Sequence, residues 1–393
     1  MREKTLCILG RQPAIGRAEL ESLLGATHVT PVGNLAMSSD VAAQDIPFAR
    51  LGGTVKLAVV VTSFETRDWR SVQAELTKTA LALAQDIAEG KIQLGISAYG
   101  LRVNPRQLLG AGLEIKKTLR EHGYSVRLVP NQDTALSSAQ VLHNHLTGER
   151  GIELLAVQAG QRVIIARTLA EQDINAYAAR DQNRPKRDAR VGMLPPKLAQ
   201  TIVNLATGPL PASADAVILD PFCGTGVILQ EALLMGYVAY GSDLEPRMID
   251  YSRQNLHWLN AAGSDDVQLQ VGDATTHHWQ HPFSAVASET YLGRPLSTWP
   301  MPDKLQEIMG ACNVIIEKFL KNMAAQTKTG LRLCLAVPAW RDPAGRIYHL
   351  KTLDHLGELG YNRVSFEHAR DSELTYFREG QLVARELLVI TRN

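Results

Sequence analysis

Net charge of either sign is almost absent from this chain, because 41 Lys or Arg residues are balanced by 40 Asp or Glu residues among 393. The chain as a whole therefore shows no basic field of the kind that indicates a nucleic-acid partner. Cysteine is scarce too: the four cysteines lie far apart and form no Cys-x-x-Cys pair. This spacing indicates neither a metal site nor a disulfide framework, and it fits a reducing cytoplasm.

Long apolar runs are also missing. No stretch approaches the roughly 20 apolar residues of a membrane helix, and the first apolar run, residues 5–10, is too short for the core of a signal peptide. We therefore expect a cytoplasmic protein without a membrane segment. Its length predicts two or three domains, and 45% hydrophobic with 21% charged residues is the composition of a globular protein.

The most informative segment is Asp-Pro-Phe-Cys-Gly-Thr-Gly at residues 220–226. Apolar residues 216–219 lead into it and helix-forming residues 227–234 follow, which predicts a strand, a tight turn and a helix. Gly224 and Gly226 permit the sharp turn and the close approach of a ligand. The unpaired N–H groups at the start of the following helix favour a carboxylate or phosphate.

Two further predicted strands also end in an aspartate. Residues 237–241 lead to Asp243, and residues 267–271 lead to Asp273. An acidic residue about 20 positions after the glycine turn holds the ribose in Rossmann-type sheets, and Asp243 fits that place. Because open α/β sheets bind ligands at the carboxyl ends of their strands, we expect a ligand site at this edge.

The first half of the chain has a different pattern. Short strands, three helices and hairpins alternate up to residue 168, which predicts an α+β region. This region contains none of the catalytic motif types. It is either a structural cap or a module that recruits the substrate.

Positive charge concentrates in one segment between the two halves. Residues 100–190 contain 14 Lys or Arg and nine Asp or Glu, and the excess lies mainly in residues 180–190. One interpretation is a solvated linker. The other is a basic strap that contacts RNA phosphates, because such contacts supply affinity without reading sequence. Its residues would be Arg180, Arg184, Lys186, Arg187 and Arg190.

The glycine turn at residues 220–226 closely resembles motif I of the class I S-adenosylmethionine-dependent methyltransferases. Asp243 and the turn Gly272–Asp273–Ala274 resemble the second and third motifs of that family in order and spacing. Residues 177–206 further resemble the start of the methyltransferase region in archaeal and eukaryotic tRNA guanosine-10 N2-methyltransferases.

This resemblance implies an α/β and α+β multidomain chain with four parts. They are an N-terminal ferredoxin-like α+β domain (1–69), a THUMP-like RNA-binding domain (70–170), a basic linker (171–191) and a Rossmann-like class I methyltransferase domain (192–393). It also implies S-adenosylmethionine as cofactor, tRNA as partner and, as in the eukaryotic relatives, a small activating protein subunit.

The resemblance places cofactor contacts in the segment before the first strand and at the three strand ends. The implied residues are Pro196, Lys197, Asp220, Phe222, Cys223, Gly224, Gly226, Asp243, Leu244, Asp273 and Ala274. Lys197 would neutralise the cofactor carboxylate or lie on the surface. Asp243, or Glu245 beside it, would bind the ribose, and Asp273 the adenine amino group. Cys223 would fit equally well as a small buried filler.

The chain departs from the family pattern where the transfer chemistry is expected. After the predicted strand at residues 284–288, the family has Asp-Pro-Pro-Tyr-Gly or Asn-Pro-Pro-Tyr, and this chain has Glu-Thr-Tyr-Leu-Gly at residues 289–293. Glu289 keeps a hydrogen-bond acceptor on a longer side chain, the two prolines are missing, and the aromatic residue, Tyr291, stands one position early.

Two hypotheses follow for this loop. In a remodelled active site, Glu289 accepts hydrogen bonds from N1–H and N2–H of guanine, Tyr291 stacks on the flipped base and Arg294 holds its phosphate. In a decayed site, the cofactor fold remains but transfer is lost. The sequence therefore predicts an RNA methyltransferase that acts on the exocyclic N2 amine of a guanosine in tRNA. The alternatives are a catalytically silent RNA-binding protein and a methyltransferase for another base.

Overall fold

The computed structural model describes residues 4–87, 89–188 and 193–393, which form two compact units. The first unit contains the chain up to Arg17, Leu24–Ala49 and Gly53–Ala176. The second contains Ala18–Leu23, Arg50–Gly52 and Tyr177–Asn393. Within the described ranges, no helix is both long enough and apolar enough to cross a membrane.

The chain from Thr5 to Glu171 alternates strands and helices. In order these are β1 (Thr5–Leu9), α1 (Pro13–Leu24), β2 (Val29–Val32), β3 (Ala36–Ser39), β4 (Thr54–Glu65), α2 (Trp69–Ala84), β5 (Lys91–Tyr99), α3 (Pro105–Glu121), β6 (Ser125–Leu128), α4 (Ser138–His143), β7 (Gly151–Ala159) and β8 (Arg162–Glu171). The strands form one mixed sheet in the order β2-β3-β1-β4-β8-β7-β5-β6. Because this sheet takes strands from both predicted N-terminal domains, their division at residue 69 stays a prediction.

The remaining elements build the second sheet and its helices. They are α5 (Ile174–Gln182), α6 (Pro196–Thr207), β9 (Val217–Asp220), α7 (Val227–Leu234), β10 (Val238–Asp243), α8 (Pro246–Leu259), β11 (Gln268–Val271), β12 (Ala285–Glu289), α9 (Pro302–Gln326), β13 (Arg332–Arg341), β14 (Ile347–Tyr348), β15 (Tyr361–Arg363), β16 (Thr375–Tyr376) and β17 (Val383–Arg392). The main order is β11-β10-β9-β12-β13-β17-β15, with β14 beside β13 and β16 beside β17. Strands β9 to β13 run parallel and β17 runs antiparallel to β13.

The predicted strand, turn and helix around residues 220–226 are confirmed, and α7 covers the predicted residues 227–234. The resemblance also implies a terminal antiparallel hairpin that turns at residues 378–381, and its last strand is confirmed as β17. Helix α9 does not figure in the sequence analysis, and α5 lies inside the predicted basic linker. The sequence further predicts a helix at residues 350–359, which is wrong in type, because Lys351–Leu359 forms 3-10 turns interrupted by non-helical His355.

A buried ion pair joins the strands of the first unit. Lys56 Nζ lies 2.5 Å from Glu153 Oε1 and 3.6 Å from Glu171 Oε2, and all three side chains are almost fully buried. Ser97 and Thr168 also donate to the Glu153 carboxylate, each at 2.6 Å. Burial raises the pKa of Glu171 to about 7, and Lys56 acts against that rise. Lys56 therefore compensates two buried carboxyl groups with one cation.

Replacing Lys56 with Met should destabilise the first unit by about 3–5 kcal/mol, because an uncompensated charge is left in the core. Hydrogen exchange of the β4, β7 and β8 amides during urea titration at pH 8 measures this loss. The matched control is Lys117→Met, which removes an exposed pair with Glu121 at 4.0 Å and should cost at most about 1 kcal/mol. Equal losses in the two variants would contradict the role given to Lys56.

Candidate active site

The glycine turn after β9 needs its glycines for steric reasons. Gly224 has φ 52° and Gly226 has φ 82°, both in the left-handed region that glycine adopts without strain. A Cβ atom on Gly226 would lie 2.9 Å from Ser252 Oγ. The turn therefore packs directly against α8 and delivers the chain into α7 at Gly226.

Asp220 ends β9 and organises this turn from within the core. Its Oδ1 accepts hydrogen bonds from Ser288 Oγ at 2.6 Å and from the Phe222 amide at 3.2 Å. Complete burial raises the pKa of Asp220 to about 8, and the negative charges of Asp243 and Glu289 act in the same direction. Asp220 therefore ties β9 to β12 and holds a proton at neutral pH, a role that the sequence did not indicate.

Asp243 lies at the end of β10, where the sequence places a ribose-binding carboxylate. Its Oδ2 accepts from the Gly224 amide at 2.8 Å, and its Oδ1 accepts from the Glu245 amide at 2.9 Å. The side chain stays partly exposed, and burial raises its pKa. These two bonds fix the carboxylate while each oxygen keeps a second lone pair for a ligand.

Two apolar side chains are exposed beside Asp243. Leu244 is 61% exposed and Val271, directly opposite Asp243 on β11, is 52% exposed. Asp273 follows on the next turn, also exposed, with Oδ1 accepting from the Thr275 amide and hydroxyl. A flat apolar ring with a polar edge fits this surface. Sequence reasoning did not predict a ligand contact for Val271. Its position as the last apolar residue of β11 could have indicated one.

Three other predicted cofactor residues are mainly packing residues. Cys223 and Ala274 are buried, and burial raises the pKa of the Cys223 thiol well above its ordinary value. Phe222 packs edge-on against Phe319 with ring centroids 5.2 Å apart. Cys223 thus fits the filler interpretation better than that of a ligand contact.

Pro196 and Lys197, the two cofactor residues predicted before β9, lie at the start of α6. Pro196 is its first residue and is buried. Lys197 Nζ lies 5.0 Å from the centre of the Tyr177 ring, over which the Arg180 guanidinium also lies, at 4.6 Å. Contact between Lys197 and a cofactor carboxylate stays a prediction.

Glu289 is the last residue of β12, at the same sheet edge as Asp220 and Asp243. Arg385 of β17 donates from Nε to Glu289 Oε1, and both side chains are largely buried. Burial raises the pKa of Glu289, and the Arg385 cation opposes that rise. Arg385 was missed by sequence reasoning, although an arginine inside an otherwise apolar strand is a signal that a buried acid pairs with it.

Two side chains of the loop after Glu289 are exposed. Tyr291 is 41% exposed and Arg294 is exposed. The two tryptophans near this site differ, because Trp340 is fully buried and Trp299 is half-buried against Tyr348. The loop that begins after Glu289 therefore presents an aromatic side chain and a cation to solvent.

The predicted basic strap is only partly accessible. Arg184 is 3% exposed, so the prediction that it contacts RNA phosphates at the surface is wrong. Arg180 is paired through two hydrogen bonds, of 2.7 and 3.3 Å, with the buried Glu231 carboxylate. Lys186 lies over the Tyr251 ring and Arg187 is exposed. Arg190 falls outside the described residues.

Among residues 4–87, 89–188 and 193–393, no cluster of His, Cys, Asp and Glu has the makeup of a metal site. The arrangement at the sheet edge thus consists of carboxyl groups, glycine amides, apolar side chains and one buried arginine.

Solved structures define the class of this fold. The structure of TrmN from Thermus thermophilus matches this chain with a TM-score of 0.55 at 16% identity. The match covers 100% of this chain and 100% of TrmN. SMU.472, a methyltransferase complexed with SAH, matches 99% of this chain and 98% of its own with a TM-score of 0.50 at 13% identity. The second unit therefore has the Rossmann-like class I methyltransferase fold.

Sequence comparison is more specific for part of the chain. Residues 184–347 match the family described as RMKL-like, methyltransferase domain. The tRNA (guanine(10)-N2)-dimethyltransferase of Methanothermobacter thermautotrophicus is 32% identical over 151 residues, which are 38% of this chain and 40% of that protein. The chain thus spans about two fifths of the length of this curated relative.

The raised pKa of Asp220 predicts how stability depends on pH. Between its ordinary pKa of 3.8 and its folded value of about 8, the folded chain holds a proton that the unfolded chain releases. Stability should therefore fall as pH rises through this window, by up to about 1.4 kcal/mol per pH unit from this group.

The side chain of the Asp220→Asn variant cannot ionise, so the free energy of unfolding of this variant in urea should fall less steeply between pH 5 and 9. Asp250→Asn, at an exposed position of α8, serves as control and should parallel the wild type. A parallel curve for Asp220→Asn would refute the assignment.

Proposed function

We propose that this chain is an S-adenosylmethionine-dependent RNA methyltransferase that methylates the exocyclic N2 amine of a guanosine in tRNA. The observation that carries the proposal is the position of Glu289. Its carboxyl group is bonded to Arg385 and lies at the end of β12, at the same sheet edge as the ends of β9 and β10. The printed name of the relative from Methanothermobacter thermautotrophicus supports guanine and tRNA as the substrate.

The residues at the sheet edge fit the proposed cofactor. The exposed Leu244 and Val271 would contact the adenine ring, and the exposed Asp273 would accept from the adenine amino group. Asp243 has lone pairs left for two ribose hydroxyls after its bonds to backbone amides. When bound, S-adenosylmethionine supplies an electrophilic methyl group.

Glu289 supports the selection and orientation of guanine. The exocyclic amine is a poor nucleophile, because its lone pair is delocalised into the ring. A carboxylate can accept from both N1–H and N2–H on the Watson–Crick edge. This would align the amine, stabilise the positive charge that develops on it as the N–C bond forms, and provide an acceptor for the N2 proton that leaves. Since Arg385 occupies Oε1 only through its Nε, the carboxylate retains acceptor capacity for the base.

Arg385 acts on Glu289 and has no proposed contact with the base. Burial favours the neutral form of Glu289, which would be a poorer acceptor, and the Arg385 cation favours the charged form. The ion pair also fixes the direction of a side chain that lacks the rigid prolines of the related motif. Arg385 is therefore a positioning residue.

The RNA contacts are proposed for exposed residues. Tyr291 is available for stacking on the flipped base, and Arg294 and Arg187 are available to phosphates. We propose a cytoplasmic location, since that is where tRNA methylation has its substrate, and the THUMP-like part and the activating subunit stay proposals.

Asp243→Asn should weaken S-adenosylmethionine binding about tenfold. The variant keeps one acceptor for the backbone amides but loses a charge-assisted bond to the ribose, worth roughly 1.5–3 kcal/mol. Titration calorimetry measures the dissociation constant, with Asp250→Asn as the exposed control. An unchanged dissociation constant would mean that other groups hold the ribose.

Glu289→Gln should slow methyl transfer to unmodified tRNA transcripts at least about tenfold, with cofactor affinity unchanged. The amide presents a donor to the N–H groups of the base, and mispaired donors in a dry pocket cost about 1–3 kcal/mol. Transfer of radiolabelled methyl groups gives the rate, and Glu317→Gln, at a half-exposed position of α9 paired with Lys321, is the control.

The outcomes of this experiment separate the hypotheses. A fully active Glu289→Gln variant would remove Glu289 from the reaction while leaving the methyltransferase proposal in place. A wild-type protein that binds cofactor and tRNA but transfers no methyl group would establish the catalytically silent alternative.

A further inference from the structure

Two aromatic rings lie together near the candidate active site and take no part in the chemistry proposed above. The rings of Trp299 and Tyr348 have centroids 5.7 Å apart and an interplanar angle of 44°. Both side chains are half-buried, so each ring packs on the core with one part and meets solvent with another. Aromatic residues held in this way can stack on a planar ligand.

Strand register fixes their position relative to Glu289. On β13, Ala336 lies opposite Glu289 of β12, and Trp340 lies opposite both Tyr348 of β14 and Val383 of β17. A strand has only two edges, and β17 occupies one of them along this whole stretch. Strand β14 therefore continues the line of β12 on the other edge, beyond the point where β12 ends.

The distance follows from the same register. From Ala336 to Trp340 is a step of four residues, or about 13 Å at the rise of a strand. This corresponds to about four stacked nucleotides at 3.4 Å each, and to fewer when the strand is splayed open. Nucleotides close to a target at Glu289 can therefore reach Tyr348.

The surroundings are basic, although the rest of this unit is not. Apart from Arg385, which is paired with Glu289, residues 291–301, 341–349 and 376–384 contain four arginines and two acidic residues, whereas residues 193–393 contain 17 Lys or Arg and 21 Asp or Glu. One of the arginines, Arg341, lies 4.8 Å from the centre of the Phe377 ring. Local positive charge beside partly exposed aromatic rings is the combination that binds single-stranded nucleic acid.

We propose that Trp299 and Tyr348 form a flanking-base surface, on which an unpaired nucleobase within a few nucleotides of the target stacks. This inference rests on the proposed RNA methyltransferase function and adds a second contact to it. When the target base is turned into the pocket at Glu289, its neighbours lose a stacking partner. The two rings replace that lost stacking and hold the strand open, with little preference for base identity because every base offers a π-face.

Substitution tests the energetic part of the proposal. Trp299→Leu and Tyr348→Leu should each raise the dissociation constant and the KM for tRNA transcripts at least about fivefold, with kcat and cofactor affinity nearly unchanged. Trp299→Phe and Tyr348→Phe keep a ring and should restore most of the binding. The matched control is Trp258→Leu, since Trp258 is 38% exposed on α8, which packs on β10 and β11 at the other side of the sheet. Leucine variants that bind tRNA like the wild type would overturn the proposal.

Crosslinking tests the position without any substitution. A pentaribonucleotide with a central guanosine and two 4-thiouridines on each side is irradiated with the wild-type protein, and the modified peptides are mapped. Crosslinks at Trp299 or Tyr348 are expected, and crosslinks confined to other residues would overturn the flanking-base surface. If crosslinks form at these rings but the wild type methylates no tRNA, the proposed function fails and the surface stands. If methylation occurs without crosslinks or leucine effects at the rings, the surface alone fails.

Discussion

A carboxyl group that is removed from water needs a cation, hydrogen-bond donors or a proton, and this need organises the edge of the second sheet. Glu289 forms an ion pair with Arg385, and Asp243 accepts hydrogen bonds from backbone amides that include that of Gly224. Burial raises the pKa of Asp220 to about 8, so that this carboxyl group holds a proton at lower pH. These three solutions also connect β9, β10, β12 and β17. The positions of the acidic side chains at this edge therefore follow from the way in which each acid is satisfied.

Much of the predicted cofactor site, at the ends of β9 and β10, could be predicted from sequence. Glycines at positive φ and aspartates at strand ends depend on local chain geometry, so the turn at residues 220–226 and the place of Asp243 were found. Arg385 was missed because its partner lies 96 residues away in the chain. The burial of Arg184 was missed for a similar reason, since its environment is set by helix packing that a run of basic letters does not show.

In the proposed function, the acceptor at the end of β12 is held by a different physical means from that of the related motif. In the motif that residues 289–293 resemble, two prolines hold the acceptor by restricting the backbone. Here the acceptor is on a longer side chain, and an ion pair to a neighbouring strand restricts it instead. Burial of the longer carboxyl group costs desolvation and raises its pKa, and the Arg385 cation opposes that rise. The loop after it is thereby released to carry the exposed Tyr291 and Arg294.

The central claim is that the carboxylate of Glu289 selects the N1–H and N2–H edge of guanine for methyl transfer. The most direct measurement is nucleoside analysis by mass spectrometry of unmodified tRNA transcripts after incubation with the protein and S-adenosylmethionine. The account predicts N2-methylated guanosine as the methylated product. Methylation of a base without two adjacent donors, such as adenosine, or the absence of any methylated nucleoside, would contradict it.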